Sequence, residues 1–285
     1  MIDTLSSALA QARQHVAADA RNARVLPAYR SLLFEPTGTA KGAILMLPGY
    51  TSPTEQFADL GRLMAGRGYY SFIPRAPRHG LEDAPVRIAP TAAELRTYGQ
   101  SSLAVVAGLA PGQTGVMGLS GGATLAVWLA AHANTPLKRL VIFNPFFEPA
   151  HNLVPKWQLR GLLTLYGRLR WLPDRPDPLS DNRSYYGLAS YLMLAGTLPR
   201  RPLPELEQAA LVTSPGDDQV DIGLAQRWFR QWYPHGRQFE LPATWQLAHD
   251  ITGRSSLKGH DDTLYEAYAD IYEGKASSLT GVDVH

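Results

Sequence analysis

Residues 113–131 read QTGVMGLSGGATLAVWLAA, an apolar run, a single serine among glycines, and a second apolar run. The first run predicts a short strand and the second a helix that begins at once. Gly118 to Gly122 therefore match the pattern Gly-x-Ser-x-Gly, in which a serine lies on a sharp strand-to-helix turn with its hydroxyl exposed. Glycine flanks such a serine because the turn leaves no room for a Cβ atom. Ser120 is the candidate nucleophile, and an ordinary glycine-rich turn is the alternative.

The composition is that of a globular protein with a substantial core. The 285 residues are 45% hydrophobic and 18% charged, with a net charge of +2 and no cysteine. A near-neutral chain without a lysine or arginine block argues against a nucleic-acid partner. The absence of cysteine excludes disulfides, thiolate metal sites and thiol nucleophiles. Because no phosphate-binding loop or paired-histidine motif occurs, we expect no metal and no organic cofactor.

The amino terminus gives the expectation about location. Residues 1–16 lack a basic segment ahead of an apolar core, so they do not resemble a secretion signal and predict an amphipathic helix instead. No apolar run reaches the length that crosses a bilayer. We therefore expect a cytoplasmic protein without integral membrane association.

Short apolar runs alternate with helical patterns along most of the chain, and a capping box at Thr91 and Glu94 opens one of the helices. Besides the strand before Ser120, strands are predicted over residues 31–34, 42–47, 70–73, 140–143, 211–213 and 238–241. This alternation predicts an α/β fold with a doubly wound, mostly parallel sheet. Its reactive loops should gather at the carboxyl ends of the strands.

The alternation stops at residues 145–206, which show no clear strand and are rich in aromatic residues, proline and arginine. Helical patterns at 158–170 and 184–194 predict an inserted helical cap, or lid, over the sheet edge. Residues 1–144 and 207–285 would then form the α/β core with its N-terminal helix.

The aromatic residues of the predicted cap have two interpretations. Each one alone is more often a packing residue than a binding residue. As a group they would form an apolar lid suited to a hydrophobic acyl or aromatic substrate. Phe146, Trp157 and Tyr166 are the candidate substrate-binding residues.

A serine hydroxyl needs a neighbouring base and a third group that orients the base. Residues 211–221 read LVTSPGDDQVD, a strand followed by a turn with three carboxylates. His249 lies after the next predicted strand and before a predicted terminal helix, so the chain order is serine, acid, histidine. His260 stands at the start of that helix, where it also fits a solvated or capping role.

These motifs together resemble an α/β-hydrolase, similar to the carboxylesterase, monoacylglycerol-lipase and serine-aminopeptidase branches that carry a helical cap. In those branches the acid is followed by two variable residues, a valine and an aspartate or proline. The resemblance implies Asp217 as the acid and His249 as the base. Asp218 is the alternative acid, whereas Asp221 is better suited to cap the following helix.

The resemblance also implies an oxyanion hole made of two backbone amides. One is the amide of Gly121, directly after the nucleophile and at the positive end of its helix. The other is the amide of Tyr50, in the loop after an early strand. Relatives usually carry His-Gly before this donor, and here Pro48 stands in place of the histidine. His79, in a proline-rich loop that precedes the serine, is assigned a structural role.

The function implied is a serine hydrolase that cleaves small-molecule carboxylic esters of apolar acyl or aromatic compounds through an acyl-enzyme, with a thioesterase or an aminopeptidase as the alternative. A carbon–carbon bond hydrolase, a cofactor-free haloperoxidase and a non-catalytic binding protein are the alternatives on the same scaffold. A dehalogenase or epoxide hydrolase is disfavoured because those enzymes use a carboxylate where Ser120 stands.

Overall fold

The computed structural model describes residues 4–82, 89–154, 156–169, 171–177 and 180–279. Its α-helices are α1 (Thr4–Arg21), α2 (Ala58–Gly66), α3 (Ala92–Leu109), α4 (Gly121–His132), α5 (Lys156–Leu162), α6 (Tyr185–Ala195), α7 (Ile222–Trp232) and α8 (Asp261–Glu273). Its strands are β1 (Leu32–Phe34), β2 (Gly42–Leu47), β3 (Tyr69–Ile73), β4 (Thr114–Leu119), β5 (Arg139–Phe143), β6 (Pro176–Asp177), β7 (Ser180–Ser184), β8 (Gln208–Thr213) and β9 (Arg237–Glu240). Short 3₁₀ helices cover Pro27–Tyr29, Thr54–Phe57, Ala243–Trp245 and Arg254–Ser256, and a π-helical turn covers Leu163–Arg168.

Seven strands form one sheet in the order β1-β3-β2-β4-β5-β8-β9. β1 is antiparallel to β3, and all other neighbours in this sheet are parallel. After β2 the chain first adds β3 next to one edge of that strand and then β4 next to its other edge. This reversal opens a crevice at the carboxyl ends of β2 and β4, which is where ligands bind in such sheets. The loop after β2 and the turn after β4 meet there.

Helices cover both faces of the sheet, so its central strands are buried on both sides. Ala43, Leu45 and Leu47 of β2 face a core built with α1, α3, α4 and α7. Ile44 and Met46 of the same strand face the opposite core, built with α2 and α8. Side chains alternate along the strand because successive Cβ atoms point to opposite faces. The predicted doubly wound α/β architecture is confirmed.

Local signals identified several elements correctly. The capping box at the start of α3 is present, since the Thr91 hydroxyl accepts from the Glu94 amide at 3.1 Å and the Glu94 carboxylate accepts from the Thr91 amide at 2.7 Å.

The predicted helix at 158–170 is instead the short α5 followed by the π-helical turn. The interpretation that residues 145–206 contain no strand was wrong, because β6 and β7 pair there as a short antiparallel ribbon.

Within residues 145–206, helix α6 packs against α3 and α4. Its Leu188, Tyr191 and Leu192 cluster with Phe146 and Leu95. These contacts place α6 beside the helix that begins at the candidate nucleophile. No helix in the described ranges is both long and apolar enough to cross a membrane.

A buried ion pair ties α1 to the sheet. One carboxylate oxygen of Asp19 accepts from the Ser31 amide at 2.9 Å and the Ser31 hydroxyl at 2.6 Å, and the other accepts from Nε of Arg75 at 2.9 Å. A buried charge that loses its partner is strongly unfavourable because neither water nor protein then stabilises it. The pair therefore joins three chain segments that are distant in sequence.

We expect Asp19→Ala to lower the free energy of unfolding by about 3 kcal/mol, since it leaves the Arg75 guanidinium without its carboxylate in a largely buried position. Urea unfolding followed by circular dichroism measures this value. Glu35→Ala is the matched control, because Glu35 pairs with Arg13 at an exposed site and such pairs contribute about 1 kcal/mol or less. Equal losses from both variants would contradict the assignment.

Candidate active site

Ser120 lies on a strained turn between β4 and α4. Its backbone has φ 55° and ψ −119°, a region that residues with a side chain rarely adopt. A Cβ atom at Gly122 would lie 2.0 Å from the carbonyl oxygen of Leu47, and one at Gly118 would lie 2.6 Å from that of Gly122. Both neighbours are backbone atoms that cannot move aside. The prediction that these positions have no room for a side chain is confirmed.

Asp217 and His249 meet at the carboxyl edge of the sheet, on the segments after β8 and β9. Nδ1 of His249 lies 2.6 Å from Oδ2 of Asp217, the Asp217 side chain has no solvent exposure, and the His249 side chain is 12% exposed. The second carboxylate oxygen accepts from the amides of Gln219 at 2.8 Å and Val220 at 3.3 Å. With Nδ1 bound to the carboxylate, Nε2 is the ring nitrogen that remains to accept a proton.

The alternative acids and base lie elsewhere. Asp218, on the same turn, is exposed. Asp221 caps α7, since its Oδ1 accepts from the Leu224 amide at 2.8 Å. His260 precedes α8 and stacks on the indole of Trp245, with ring centroids 4.3 Å apart. Of the three turn carboxylates, Asp217 is the one that contacts His249.

Ser120 and His249 open onto one cavity of about 340 Å³ in the crevice at the switch between β2 and β4. A cavity of this size is in the range of small-molecule sites. Among the described residues, no hydrogen bond joins the Ser120 hydroxyl to another side chain. The residues that line the cavity are Gly49, Tyr50, Thr51, Ser52, Gln56, Leu119, Ser120, Phe146, Leu188, Tyr191, Gln219, Ala248, His249, Asp250 and Ser256.

The loop after β2 lies directly against the nucleophile. A Cβ atom at Gly49 would be 3.5 Å from Cβ of Ser120, and the Gly49 amide donates to the side-chain oxygen of Gln56 at 3.0 Å. Tyr50 and Thr51 continue this loop along the cavity. The loop therefore lines the cavity beside Ser120, and the Tyr50 amide as oxyanion donor stays a prediction.

The three predicted substrate-binding residues separate in the structure. Phe146 lines the cavity, and its amide donates to the Ser120 carbonyl oxygen at 3.1 Å. Trp157 is 78% exposed and lines a different cleft, together with Leu192 of α6 and Trp228 of α7. Tyr166 packs its ring 5.0 Å from that of Tyr185 and is not among the residues that line the cavity. Only Phe146 is placed beside the nucleophile.

Comparisons with known proteins identify the fold. A structure of the metagenome-derived lipolytic enzymes LipS and LipT aligns with a TM-score of 0.67 and 16% identity over 88% of this chain and 99% of the other. A monoacylglycerol lipase from Paleococcus ferrophilus aligns with a TM-score of 0.65 and 13% identity over 86% of this chain and 98% of the other. The α/β hydrolase GrgF from Penicillium sp. sh18 aligns with a TM-score of 0.59 and 14% identity over 86% of this chain and 93% of the other. The chain has the α/β-hydrolase fold. No protein-family model and no curated protein matches the sequence.

In this α/β-hydrolase fold, His79 packs behind the loop after β2. Its Nδ1 lies 2.9 Å from the Pro77 carbonyl oxygen, and its ring meets that of Tyr50 edge-on at 5.7 Å. Burial lowers the pKa of the His79 imidazole to about 4, against the raising effect of the hydrogen bond to Pro77. The side chain is therefore neutral at neutral pH and acts in packing, in agreement with the structural role assigned from the sequence.

The lowered pKa of His79 makes stability depend on pH. In the unfolded chain the pKa returns to about 6.5, so below that pH the unfolded state binds a proton that the folded state excludes. The His79 contribution is therefore a loss of stability of about 2 kcal/mol on going from about pH 7.5 to about pH 5. His79→Gln should remove this part of the pH dependence in urea unfolding at the two pH values. An identical pH dependence in both proteins would contradict the expectation.

Asn144 was not identified from the sequence, yet it joins the loop that carries Asp217 to the loop that carries His249. It follows β5 directly, with a left-handed φ of 36° that asparagine tolerates better than most residues. Its Nδ2 donates to the His249 carbonyl oxygen at 2.8 Å, and its Oδ1 accepts from the Ser214 amide at 2.9 Å. The Ser214 hydroxyl in turn donates to the Leu247 carbonyl oxygen. The one sequence signal that could have identified Asn144 is its position directly after an apolar strand.

We expect Asn144→Ala to lower the free energy of unfolding by about 2–4 kcal/mol, because it leaves one buried amide and one buried carbonyl without partners. With His249 as the candidate base, turnover of the ester substrates that the sequence predicts should also fall about tenfold or more, since the His249 loop loses its anchor and small displacements of a base are costly. Urea unfolding and steady-state kinetics measure the two effects. Asn152→Ala, at an exposed position, is the control and should match the wild type in both.

Proposed function

We propose that the protein is a serine hydrolase that cleaves carboxylic esters of apolar acyl or aromatic compounds through Ser120, His249 and Asp217. The observation that carries the proposal is the 2.6 Å contact between Nδ1 of His249 and Oδ2 of Asp217, at the cavity onto which the elbow serine opens. Structures with the same fold include proteins described as lipolytic enzymes and as a monoacylglycerol lipase. Their descriptions support ester hydrolysis as the reaction class.

In the proposed mechanism, Nε2 of His249 takes the proton of the Ser120 hydroxyl as the oxygen attacks the ester carbonyl. Asp217 holds the imidazole in the tautomer with the proton on Nδ1 and stabilises the imidazolium that forms. His249 then gives its proton to the alcohol that leaves, so an acyl-enzyme remains on Ser120. Water attacks the acyl group with His249 again as the base, and the acid is released.

The tetrahedral intermediate carries a negative oxygen that needs preorganised donors. Gly121 supplies one amide in the proposal, at the first position of α4, where a helix leaves its amides without internal partners. Among the described residues nothing accepts a hydrogen bond from this amide. Tyr50 supplies the second amide, from the loop that lies against Ser120. The positive end of the α4 dipole adds to the stabilisation.

One part of the cavity wall supports an apolar acyl or aromatic group as the part of the substrate that the protein recognises. Leu119, Phe146, Leu188 and Tyr191 contribute apolar surface beside the nucleophile. Two of these side chains belong to α6, within residues 145–206. We assign this inserted segment the role of a cap that covers the site and excludes water from it.

The hydrogen bonds of Asp250, whose carboxylate lines the cavity, favour esters over aminoacyl amides as substrates. Its Oδ1 accepts from the amides of Thr252 at 3.0 Å and Gly253 at 2.9 Å, and its Oδ2 accepts from the Ser256 hydroxyl at 3.0 Å. Because three donors already bond to Oδ1 and a hydroxyl bonds to Oδ2, most of the acceptor capacity of Asp250 is used within its own loop, and little is left for a free amino group. Binding of aminoacyl substrates would require such a partner.

The test is covalent labelling combined with a substrate panel. A fluorophosphonate probe should add to Ser120, which peptide mass spectrometry locates, and the protein should hydrolyse p-nitrophenyl esters of graded acyl length. Thioesters and aminoacyl amides in the same panel rank the leaving groups. A folded protein that takes no label at Ser120 and hydrolyses no member of the panel would contradict the proposal and favour a binding protein.

A further inference from the structure

The side chain of Tyr50 reaches from the loop after β2 to the first turn of α6. Its hydroxyl accepts a hydrogen bond from the Ser184 amide at 3.3 Å and lies 3.4 Å from the Ser184 hydroxyl. Ser184 is the N-cap of α6, and its own hydroxyl accepts from the Gly187 amide at 3.2 Å. The phenol therefore contacts the residue at which the helix begins.

Gly187 forms a notch that receives this phenol. A Cβ atom at Gly187 would lie 1.8 Å from the Tyr50 hydroxyl oxygen and 2.1 Å from Cζ of the same ring. Gly187 lies inside a helix, where glycine is less favourable than alanine and no positive φ requires it. Its lack of a side chain is explained by the space that the ring of Tyr50 occupies.

The ring of Tyr50 is also held from its sides. The ring of Tyr191, one turn further along α6, lies 5.2 Å away, and that of His79 lies 5.7 Å away. Both distances are typical of packed aromatic pairs. Tyr50 therefore has little freedom to move unless α6 moves with it.

We propose that α6 positions the oxyanion loop through the side chain of Tyr50, with Ser184 and Gly187 as positioning residues. The inference rests on the proposed function, in which the Tyr50 amide stabilises the oxyanion. The amide and the ring belong to one residue, so a shift of the ring relative to α6 displaces the amide. Loss of one oxyanion donor costs about 10²–10³ in kcat. The position of α6 in the cap therefore determines the position of the Tyr50 amide in the oxyanion hole.

The first test is Gly187→Ala, which forces the Tyr50 ring out of the notch. We expect kcat for a p-nitrophenyl ester to fall about tenfold to a hundredfold while KM changes less than about threefold, because the donor acts on the transition state. Gly161→Ala is the matched control, since Gly161 lies in α5 of the same segment and a Cβ there would meet nothing within 4 Å. It should match the wild type. A wild-type kcat for Gly187→Ala would overturn the inference.

A double-mutant cycle separates positioning from general damage to α6. In a Tyr50→Ala background the atoms that clash are gone, so Gly187→Ala should cause no further loss of kcat. Equal losses in both backgrounds would show that the two residues act independently and would overturn the inference. If Gly187→Ala does not fold, Tyr50→Phe replaces it, with an expected loss of kcat of about threefold or more from removal of the contact with Ser184. An unchanged kcat for that variant would overturn it equally.

The failure of this inference is distinguishable from failure of the proposed function. If the wild type turns over esters and Ser120→Ala does not, the proposed function stands, and an additive cycle then refutes only the role of α6. If the wild type neither hydrolyses esters nor takes a fluorophosphonate, the proposed function fails. The same cycle measured by thermal unfolding then still tests the contact between Tyr50 and Gly187.

Discussion

Ser120→Ala is expected to lower kcat for a short p-nitrophenyl ester by at least about 10⁴-fold, because the substitution removes the attacking oxygen from the strained turn. The fold should be unaffected. Alanine keeps the Cβ atom on the strained turn, and the serine hydroxyl bonds to no other side chain among the described residues. Steady-state hydrolysis measures the loss, and thermal unfolding verifies that the transition temperature is retained.

Ser101→Ala is the control for the serine substitution. Ser101 is exposed on α3, and its hydroxyl donates to the Tyr98 carbonyl oxygen at 3.1 Å. This variant should hydrolyse the ester at the wild-type rate. Wild-type turnover by Ser120→Ala would instead show that the activity arises from another residue or from a contaminant, and the assignment of the nucleophile would be wrong.

Asp217→Asn should have the second-largest effect, about a 10⁴-fold loss of kcat. The carbonyl oxygen of the introduced amide can keep the loop hydrogen bonds to the backbone amides of Gln219 and Val220. The side-chain amide nitrogen would then face Nδ1 of His249 and force the proton onto Nε2. A histidine with Nε2 protonated cannot accept the proton of Ser120, so the wrong tautomer removes the base without moving it. Hydrolysis of the same ester, compared at several pH values, measures the loss.

Asp218→Asn is the matched control for the acid, because it makes the same chemical change one residue away at an exposed position. Its kcat and KM should equal those of the wild type. The reverse pattern, with activity lost in Asp218→Asn and retained in Asp217→Asn, would show that the motif register is off by one. Equal losses in the two variants would point to damage to the turn as a whole.

The cleft that holds Trp157 shows how far an aromatic residue of an inserted segment can be from the chemistry. The sequence does not distinguish Trp157 from Phe146, since both are aromatic residues in a proline- and arginine-rich stretch. Phe146 reaches the nucleophile because its amide is bound to the Ser120 carbonyl oxygen. Trp157 lines a separate cleft, together with Leu192 of α6 and Trp228 of α7. Residue type alone does not distinguish the linings of two separate cavities.

The sequence by itself determined the features whose causes are local. The close approach of Gly118 to Gly122, the capping box at Thr91 and the cap at Asp221 each depend on residues within four positions of one another, so their chemistry is visible in the chain. The alternation of apolar runs determined the parallel sheet in the same way, because each strand must be buried on both faces. The resemblance to the hydrolase branches, in which the acid is followed by two variable residues and a valine, allowed Asp217 to be ranked above Asp218.

Only the tertiary structure decided which distant groups touch. The contact of Asp217 with His249, the anchoring of the His249 loop by Asn144, and the notch at Gly187 for Tyr50 all join residues from separate elements. No periodicity encodes such pairs, because they depend on strand order and on the path of the loops across the sheet edge. A short sequence pattern specifies a backbone conformation, whereas the catalytic arrangement depends on where the packed core places each of those conformations.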